Sequence, residues 1–317
     1  MLEGKCHYGV VPIENTLGGS IHANYDNLLR YPAIKIVADH DFRVRHCLLA
    51  LPGVVAGDIT RVISHPQALA QCDAWLRKEL PRAKRDPVYD TAGAAKMIRD
   101  DNLTTVAAIC SELAASHYGM NILEKHIQDV EFNTTRFLLL SKTPCEIPRN
   151  PQYDVKTSLC FWVPQCHTHG ALHKVVAAFS LREVNMTKLE SRPIPGKYLK
   201  AMLAAEDNMK LANFEYCFYL DIEGSSSDQA VERALNHLRE ISPFVRVFSS
   251  YPTGGALSLD TKQSLAAWSD TSPGGATPLL TKNSILISIP KKTNSPSSIS
   301  SKSFFSLQNL SFSSILC

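Results

Sequence analysis

Short apolar runs and helical patterns alternate along the first 140 residues of the chain. From Leu69 to Leu80, apolar residues recur at spacings of three and four, which predicts one helix over residues 67–80 with a single apolar face. Shorter helices are predicted at Thr91 to Ile98 and Glu112 to Tyr118, with Thr91 and Ser111 as N-caps. Strands are predicted where apolar and β-branched residues cluster: Tyr8 to Ile13, Ile34 to Ala38, Arg61 to Ile63, Thr105 to Ile109 and Phe137 to Leu140. Such alternation is typical of an α/β domain with a largely parallel sheet.

The pattern changes after residue 142. A polar, Pro-containing stretch over residues 143–155 predicts a linker between a first domain, residues 1–142, and a second, residues 156–252. The second domain has the predicted order strand (Thr157 to Val163), helix (Ala171 to Leu181), strand (Asn185 to Glu190), strand (Phe214 to Ile222), helix (Asp228 to Glu240) and strand (Val245 to Ser250). This βαββαβ order is typical of a ferredoxin-like fold. Residues 253–317 are rich in Ser with little periodicity, which predicts a disordered tail, although the short run Ile285-Leu286-Ile287 could dock.

Charge and cysteine content narrow the class of protein. The 33 Lys and Arg against 30 Asp and Glu are interspersed and leave a formal charge of +3, which argues against nucleic acid or a membrane surface as a partner. No apolar stretch reaches the roughly 18 residues of a spanning helix, so no transmembrane segment is expected. The nine cysteines include no C-x-x-C pair, which is typical of a reducing compartment. Cys166-His167-Thr168-His169 lacks a second ligand pair at zinc-like spacing, so no metal site is expected.

Three predicted junctions between a strand and a helix carry polar or small residues. The first includes Asn15, Thr16, Gly18 and Gly19; the second includes His65 and Gln67; the third includes Asp90, Thr91, Ala92 and Gly93. Backbone amides at such junctions can bind an anionic ligand at the carboxyl ends of strands. Each junction alone is equally explained by a left-handed turn or a helix cap, with Asp90 or Thr91 as the cap. Three junctions on one sheet favour a pocket.

The segment from Asn133 to Phe137 lies where a loop becomes the last strand of the first domain. Arg136 could grip a substrate carboxylate with two parallel hydrogen bonds, and Thr135 could donate a proton or hydrogen bond to a leaving hydroxyl. A salt bridge at Arg136 and a purely structural strand position for Thr135 remain as the alternatives.

Together, five motifs in series resemble the prephenate and arogenate dehydratase family, most closely its plant arogenate dehydratases: Pro12 to Ser20, His46 to Leu49, Ser64 to Leu69, Asp90 to Ala95 and Thr135-Arg136-Phe137. The resemblance implies a periplasmic-binding-protein-like catalytic domain that converts arogenate to phenylalanine or prephenate to phenylpyruvate without a cofactor. In that scheme Thr135 is the general acid or hydrogen-bond donor, and Arg136 orients the substrate. The implied substrate-binding residues are Asn15, Thr16, Gly18, Gly19, His65, Gln67, Thr91, Ala92, Gly93 and Phe137.

The second domain resembles an ACT module that senses phenylalanine. The family's effector-binding motifs match Gly170-Ala171-Leu172 and Glu190-Ser191-Arg192-Pro193, although His169 stands where many members have Pro. A ferredoxin-like domain that serves only for dimerisation is the alternative. The resemblance implies phenylalanine as effector and a homodimer or homotetramer as the assembly.

Family members carry a further segment before the Pro12 motif, so we expect an incomplete first lobe, with apolar faces that lack partners. Two hypotheses follow: a dehydratase, or a non-catalytic ACT-containing regulatory or interaction subunit. The plant likeness implies that the complete protein is located in the plastid stroma, with a transit peptide that precedes this sequence.

Overall fold

The computed structural model describes residues 8–147, 153–164, 169–203, 211, 213–254, 279–281 and 284–287. The α-helices among these residues are α1 (His22–Arg30), α2 (Pro66–Gln71), α3 (Asp73–Glu79), α4 (Thr91–Asp100), α5 (Glu112–Tyr118), α6 (Ala171–Ser180), α7 (Gly196–Leu203) and α8 (Gln229–Ile241), with a short 3-10 turn at Ala56–Asp58. The strands are β1 (Tyr8–Asn15), β2 (Gly19–Ser20), β3 (Lys35–Arg43), β4 (Cys47–Ala50), β5 (Arg61–Ser64), β6 (Lys84–Pro87), β7 (Val106–Cys110), β8 (Asn121–Lys125), β9 (Thr134–Ser141), β10 (Val155–Trp162), β11 (Met186–Ile194), β12 (Glu215–Glu223), β13 (Phe244–Pro252), β14 (Leu279–Thr281) and β15 (Ser284–Ile287).

The described residues form two compact units. The first unit takes its described residues from Met1–Glu14, Ser20–Asp41 and Arg136–Lys302, and the second takes them from Asn15–Gly19 and Phe42–Thr135. This division differs from the predicted boundary at residues 143–155, because strands of the N-terminal segment share a core with the ferredoxin-like sheet. The predicted domain boundaries therefore stay a prediction.

The second unit is a three-layer α/β/α structure around a five-stranded sheet of order β6-β5-β7-β4-β8. Helices α4 and α5 pack on one face, and α2 and α3 pack on the other. The pairs β5–β6 and β5–β7 are parallel, whereas β4 is antiparallel to both β7 and β8. The expectation of a largely parallel sheet is therefore wrong here, since β4 and β8, neither of which was predicted, add antiparallel pairs.

The predicted helix over residues 67–80 is two helices, α2 and α3, that meet at Cys72. The break is stabilised by a residue distant in sequence, because the Asp129 carboxylate accepts hydrogen bonds from the backbone N–H groups of Ala74 and Trp75 at 2.9 and 3.1 Å and so caps α3. The apolar stripe is continuous across the break, since Leu69, Cys72, Leu76 and Leu80 are all buried in one cluster. The predicted face is therefore confirmed, although the single helix is not.

The first unit contains a ferredoxin-like sheet of order β11-β12-β10-β13, in which every pair is antiparallel. Its four strands and the helices α6 and α8 confirm the predicted βαββαβ order, and α6 and α8 cover one face of the sheet. An additional helix, α7, follows β11 and was not predicted, because Pro193 and Pro195 give this segment the sequence pattern of a loop.

The other face of the ferredoxin-like sheet packs on elements from the N-terminal segment. A second sheet in this unit has the order β14-β15-β1-β9-β3, and its apolar residues share one core cluster with α1, with Trp162 and with Tyr219. The apolar faces of β1, β9 and α1 are therefore covered. The expectation that they lack partners is wrong, because the sheet of the predicted second domain supplies a matching apolar face.

Part of the predicted tail forms strands. β15 pairs antiparallel with β1, with Tyr8 opposite Ile287 and Val10 opposite Ile285. The docking of the Ile285-Leu286-Ile287 run is thus observed, and for these residues the structure differs from the predicted disordered tail. A short apolar, β-branched run can complete the exposed edge of a neighbouring strand, which explains the pairing. The remainder of residues 255–317 lies outside the described residues.

Candidate active site

Asn15 lies at the centre of a hydrogen-bond network in the second unit. Its Nδ2 group donates to Thr135 Oγ1 at 3.0 Å, to Asn133 Oδ1 at 2.8 Å and to the Thr134 carbonyl at 3.2 Å. Its Oδ1 atom accepts from the backbone N–H groups of Leu17 and Gly18 at 2.9 and 2.8 Å. These bonds determine which way the Asn15 amide points, because its oxygen faces only donors and its nitrogen faces only acceptors.

Thr16 fastens the same turn to the strand that carries Thr135. The Thr16 N–H donates to the Thr134 carbonyl at 2.9 Å, and the Thr134 N–H donates to Thr16 Oγ1 at 3.0 Å. Gly19 has φ of +73°, a left-handed conformation that favours glycine and reverses the chain between β1 and β2. The predicted left-handed turn is therefore present, and it holds Asn15 next to Thr135.

The second junction lies beside this turn. Gly18 leaves room for Gln67, because a Cβ atom at Gly18 would lie 3.1 Å from Gln67 Nε2. His65 caps α2, since its Nδ1 atom accepts from the Gln67 N–H at 3.2 Å, and Pro66 occupies the first helical position. The structure thus brings the predicted residues Asn15, Gly18, Gln67 and Thr135 together. The first junction follows β1, however, which belongs to a different sheet from β5, so the expectation of one common sheet is wrong.

The third junction lies at the same sheet edge as the second. β5 and β6 are parallel, with Ser64 paired to Pro87, so α2 and α4 both begin beyond the carboxyl ends of neighbouring strands. The N-cap of α4 is Asp90, which accepts from the Gly93 N–H at 2.5 Å, and not Thr91. Thr91 and Ala92 form the first turn, half-buried. Carboxyl ends of parallel strands are where α/β folds bind ligands.

Arg136 belongs to the first unit, and each of its three guanidinium nitrogens donates to a carboxylate. Its Nε and Nη2 atoms donate to the two oxygens of Asp41 at 2.7 and 3.0 Å, and its Nη1 donates to Glu14 Oε1 at 2.6 Å. Asp39 lies 3.9 Å from Nε and forms a buried pair with Lys156 at 2.9 Å. The hydrogen bonds from Arg136 hold the pKa of the Asp41 carboxyl below its usual value.

The salt-bridge alternative for Arg136 is therefore the arrangement seen in this structure, and its role in orienting a substrate stays a prediction. Phe137, the next residue of β9, is half-buried in the first unit.

The predicted effector residues also lie in the first unit. Gly170 has φ of +69° at the start of α6, whose first residues are Ala171 and Leu172. On β11, Glu190 accepts from Ser20 Oγ at 2.6 Å and lies 3.2 Å from His22 Nε2. Burial alone would raise the pKa of Glu190, but these hydrogen bonds outweigh it and the pKa is lowered.

The neighbouring residues of β11 alternate between partnered and exposed positions. Arg192 donates to both carboxylate oxygens of Asp26 at 2.7 and 2.6 Å, while Ser191 and Pro193 are exposed. The two polar side chains of this motif that point inward, Glu190 and Arg192, are therefore both hydrogen-bonded within the unit.

Sequence reasoning assigned no role to several residues that the structure places in these networks. Asn133 is fully buried, and its Oδ1 accepts from Asn15. Asp39, Asp41 and Glu14 surround Arg136, although they are far apart in the sequence. The only sequence signal for Asn133 was its position two residues before Thr135, because side chains two residues apart on a strand point to the same face.

Among the described residues, no group of three or more His, Cys, Asp or Glu side chains is placed to hold a metal ion. Residues 166–168 of the rejected zinc pattern lie outside the described ranges. No helix in the part of the chain that the structure describes is long and apolar enough to cross a membrane.

Comparison with known proteins identifies relatives of this arrangement. Residues 1–145 match the family model "Prephenate dehydratase". The chain is 48% identical over 243 residues to the Arabidopsis thaliana protein "Arogenate dehydratase/prephenate dehydratase 2, chloroplastic", covering 77% of this chain and 60% of that protein. It thus spans less than two thirds of the length of this relative.

Two solved structures are similar over most of the chain. One is prephenate dehydratase in complex with L-Phe from Arthrobacter aurescens, with a TM-score of 0.66, 30% identity and coverage of 85% of both chains. The other is named GqqA, a novel type of quorum quenching acylase, with a TM-score of 0.65, 31% identity and coverage of 80% of this chain and 84% of that one. These matches extend over both compact units, and the chain belongs to the prephenate dehydratase family.

Proposed function

We propose that the second unit carries the catalytic hydroxyl of an arogenate or prephenate dehydratase, with Thr135 as the proton-donating group. The single observation that supports this role is the 3.0 Å hydrogen bond from Asn15 Nδ2 to Thr135 Oγ1. Because an amide nitrogen can only donate, Thr135 is the acceptor in this bond and its own O–H remains available for another acceptor. Thr135 is only partly buried, so a substrate oxygen has access to it.

The proposed reaction balances without an oxidant or reductant. The bond between the ring and its carboxylate breaks, and carbon dioxide leaves. The electron pair of that bond moves into the ring and expels the ring hydroxyl, which takes the Thr135 proton and leaves as water. A proton from solvent then restores the Thr135 hydroxyl. Positioned proton donation of this kind contributes roughly 10²- to 10⁴-fold to a rate. The aromatic ring that forms supplies much of the driving force.

The proposed carboxylate binding uses backbone amides more than charged side chains. The start of α4 presents the N–H groups of Thr91 and Ala92, which favour anions. In the turn, the Gly18 N–H already donates to Asn15 Oδ1, so Gly18 and Gly19 are proposed to let the substrate approach the backbone closely. Gln67, beside Gly18, offers an amide to the substrate. Asp90 already occupies the Gly93 N–H, so the other amides of this turn are the ones available to a substrate.

Regulation, assembly and location are proposed from the relatives. We propose that Gly170, Ala171, Leu172, Glu190, Ser191, Arg192 and Pro193 belong to an effector site for phenylalanine, and that the protein forms a homodimer or homotetramer. The L-Phe complex named for the solved structure supports the effector. The chloroplastic names of the plant relatives support a plastid location, for which we propose the stroma.

The test is an assay of phenylalanine formation from arogenate and of phenylpyruvate formation from prephenate, with calorimetry for phenylalanine binding. The proposal expects turnover of at least one substrate and inhibition by phenylalanine. If neither substrate turns over while phenylalanine binds, the chain acts as a non-catalytic regulatory subunit and the proposed activity is wrong. The assay decides, because a relative of similar identity is named an acylase and a shared fold does not fix the reaction.

A further inference from the structure

Asn133 is a buried amide with one satisfied end and one unsatisfied end. It has no exposed surface, and its Oδ1 accepts from Asn15 Nδ2 at 2.8 Å. Its Nδ2 is the one buried side-chain nitrogen or oxygen without a hydrogen-bond partner within the described ranges. A buried unpaired donor costs about 1–3 kcal/mol, so a residue that keeps one calls for an explanation.

The Asn133 amide cannot gain by turning over. Turning it would place its NH2 group against the NH2 group of Asn15, which is itself held in place by the Leu17 and Gly18 N–H groups on its oxygen. Two donors would then face each other without an acceptor. The orientation with the unpaired nitrogen is therefore the one that keeps the bond to Asn15.

We propose that Asn133 is a positioning residue that acts on the reaction through Asn15 and Thr135. By accepting one N–H of Asn15 at 2.8 Å, Asn133 leaves the other N–H to donate to Thr135 Oγ1 at 3.0 Å, with the Thr134 carbonyl as a longer secondary acceptor at 3.2 Å. That donation turns the Thr135 O–H outward, where it serves the leaving hydroxyl. Asn133 itself touches neither the substrate nor the reacting atoms. This inference rests on the proposed function, since it explains how Thr135 is held ready to donate.

A double-mutant cycle on turnover tests the link from Asn133 to Thr135. Asn133→Leu removes both the acceptor and the unpaired donor and keeps a side chain branched at Cγ, although leucine is the larger residue. We expect it to lower kcat roughly 10- to 100-fold with Thr135 present, and less than about twofold in a Thr135→Val background, with little change in KM. An equal fold loss in both backgrounds would mean that Asn133 has only a structural role, and would overturn the proposal.

Asn24→Leu is the matched control. Asn24 is also a buried asparagine, and its Nδ2 donates to the Pro12 carbonyl at 2.6 Å in the first unit. Its replacement should lower stability and leave kcat per folded molecule unchanged in both backgrounds. A loss of kcat in Asn24→Leu equal to that in Asn133→Leu would contradict the specific role of Asn133.

Nuclear magnetic resonance of isotope-labelled asparagine side chains gives a second measurement that does not need activity. In Asn133→Leu, the Asn15 NH2 resonances should shift and exchange faster with water, because one N–H has lost its acceptor. Unchanged Asn15 resonances overturn the positioning role, whatever the turnover. If the unaltered chain turns over neither substrate and the Asn15 resonances still move, the positioning of Thr135 by Asn133 is supported while the proposed function fails.

Discussion

Thr135 and Arg136 are neighbours in sequence, yet their surroundings differ in kind. Thr135, in the second unit, accepts from the neutral amide of Asn15 and retains its own donor. Arg136, in the first unit, has its guanidinium nitrogens bonded to the carboxylates of Asp41 and Glu14. One side chain is held ready to donate, whereas all three guanidinium nitrogens of the other already donate to carboxylates.

The difference separates two roles that the sequence motif joins. A neutral donor such as an amide can be lost without leaving a charged group unpaired. Breaking a partly buried ionic network, by contrast, leaves charges without partners. We therefore expect changes around Thr135 to affect turnover and changes around Arg136 to affect stability.

The largest expected effect is that of Asn15→Asp on turnover. The introduced carboxylate keeps an oxygen for the Leu17 and Gly18 N–H groups, but it replaces the donor to Thr135 with an acceptor. The Thr135 O–H then donates to this carboxylate and is lost to the substrate, so kcat should fall roughly 10²- to 10⁴-fold. Steady-state kinetics on the purified variant measures this.

The Asn15→Asp variant should remain folded, because Asn133 can turn its unpaired Nδ2 toward the new carboxylate. Circular dichroism and the melting temperature provide the control. Wild-type turnover in this folded variant would contradict the claim that turnover depends on the donor that Asn15 supplies to Thr135.

The next effect is the loss of stability in Arg136→Gln. The variant leaves Asp41 and Glu14 without their arginine, and because these side chains are partly exposed to solvent, the loss should lie below that of a buried pair, at about 1–2 kcal/mol. Urea unfolding measures the change. Lys96→Gln is the control, because Lys96 and Asp100 form an exposed helical pair, which contributes little to stability. Equal changes in the two variants would show that the Arg136 network is not special.

A smaller effect is expected at the turn that holds Asn15. Gly19→Ala places a Cβ atom in the left-handed region at φ of +73°, which costs about 1 kcal/mol. Gly57→Ala is the matched control, since Gly57 lies outside the left-handed region and a Cβ atom added there would meet nothing within 4 Å. Thermal unfolding of both variants gives the comparison. A Gly19→Ala protein as stable as Gly57→Ala would show that the turn does not depend on glycine.

The smallest expected effect is a pH dependence from His46. This side chain is buried in the second unit, and its Nε2 lies 2.9 Å from Gln71 Oε1. Burial lowers the pKa of His46. As the pH falls, His46 therefore takes up a proton in the unfolded chain before it does so in the folded chain. The contribution of neutral His46 to the free energy of unfolding is complete above about pH 6.5 and is lost as the pH falls toward the folded-state pKa.

Urea unfolding between about pH 7.5 and 5.5 checks the sign, with a slope from this one group of at most about 1.4 kcal/mol per pH unit. His46→Gln should flatten the decline, while His117→Gln, at an exposed helix position, should keep the wild-type decline. An unchanged slope in His46→Gln would contradict the account of this buried histidine.

Local patterns predicted most of the secondary structure. The apolar stripe from Leu69 to Leu80, the Ser111 cap of α5 and the βαββαβ order all follow from spacing between near neighbours, and the structure confirms them. The break between α2 and α3 could not be predicted in this way. It depends on Asp129, which is more than fifty residues away and reaches the α3 N–H groups only in the folded chain.

In the candidate site too, the individual residues could be predicted from the sequence, but the contacts between distant residues could not. Asn15, Gly18, Gln67 and Thr135 were predicted individually, and the structure brings them together. The direction of the hydrogen bond between Asn15 and Thr135 was beyond the sequence, because it is fixed by the N–H groups of Leu17 and Gly18 and by Asn133. The partners of Arg136 were equally out of reach, since strand pairing brings Glu14 and Asp41 to it across about a hundred residues.

The most direct test of the central claim compares Thr135→Val with Thr135→Ser in turnover of arogenate and prephenate. Valine keeps the β-branched shape and removes the hydroxyl, whereas serine keeps the hydroxyl. We expect kcat to fall roughly 10²- to 10⁴-fold in the valine variant and at most about tenfold in the serine variant. Both variants should have melting temperatures close to that of the unaltered chain. Turnover of the valine variant at the rate of the unaltered chain would contradict the proposed role of Thr135.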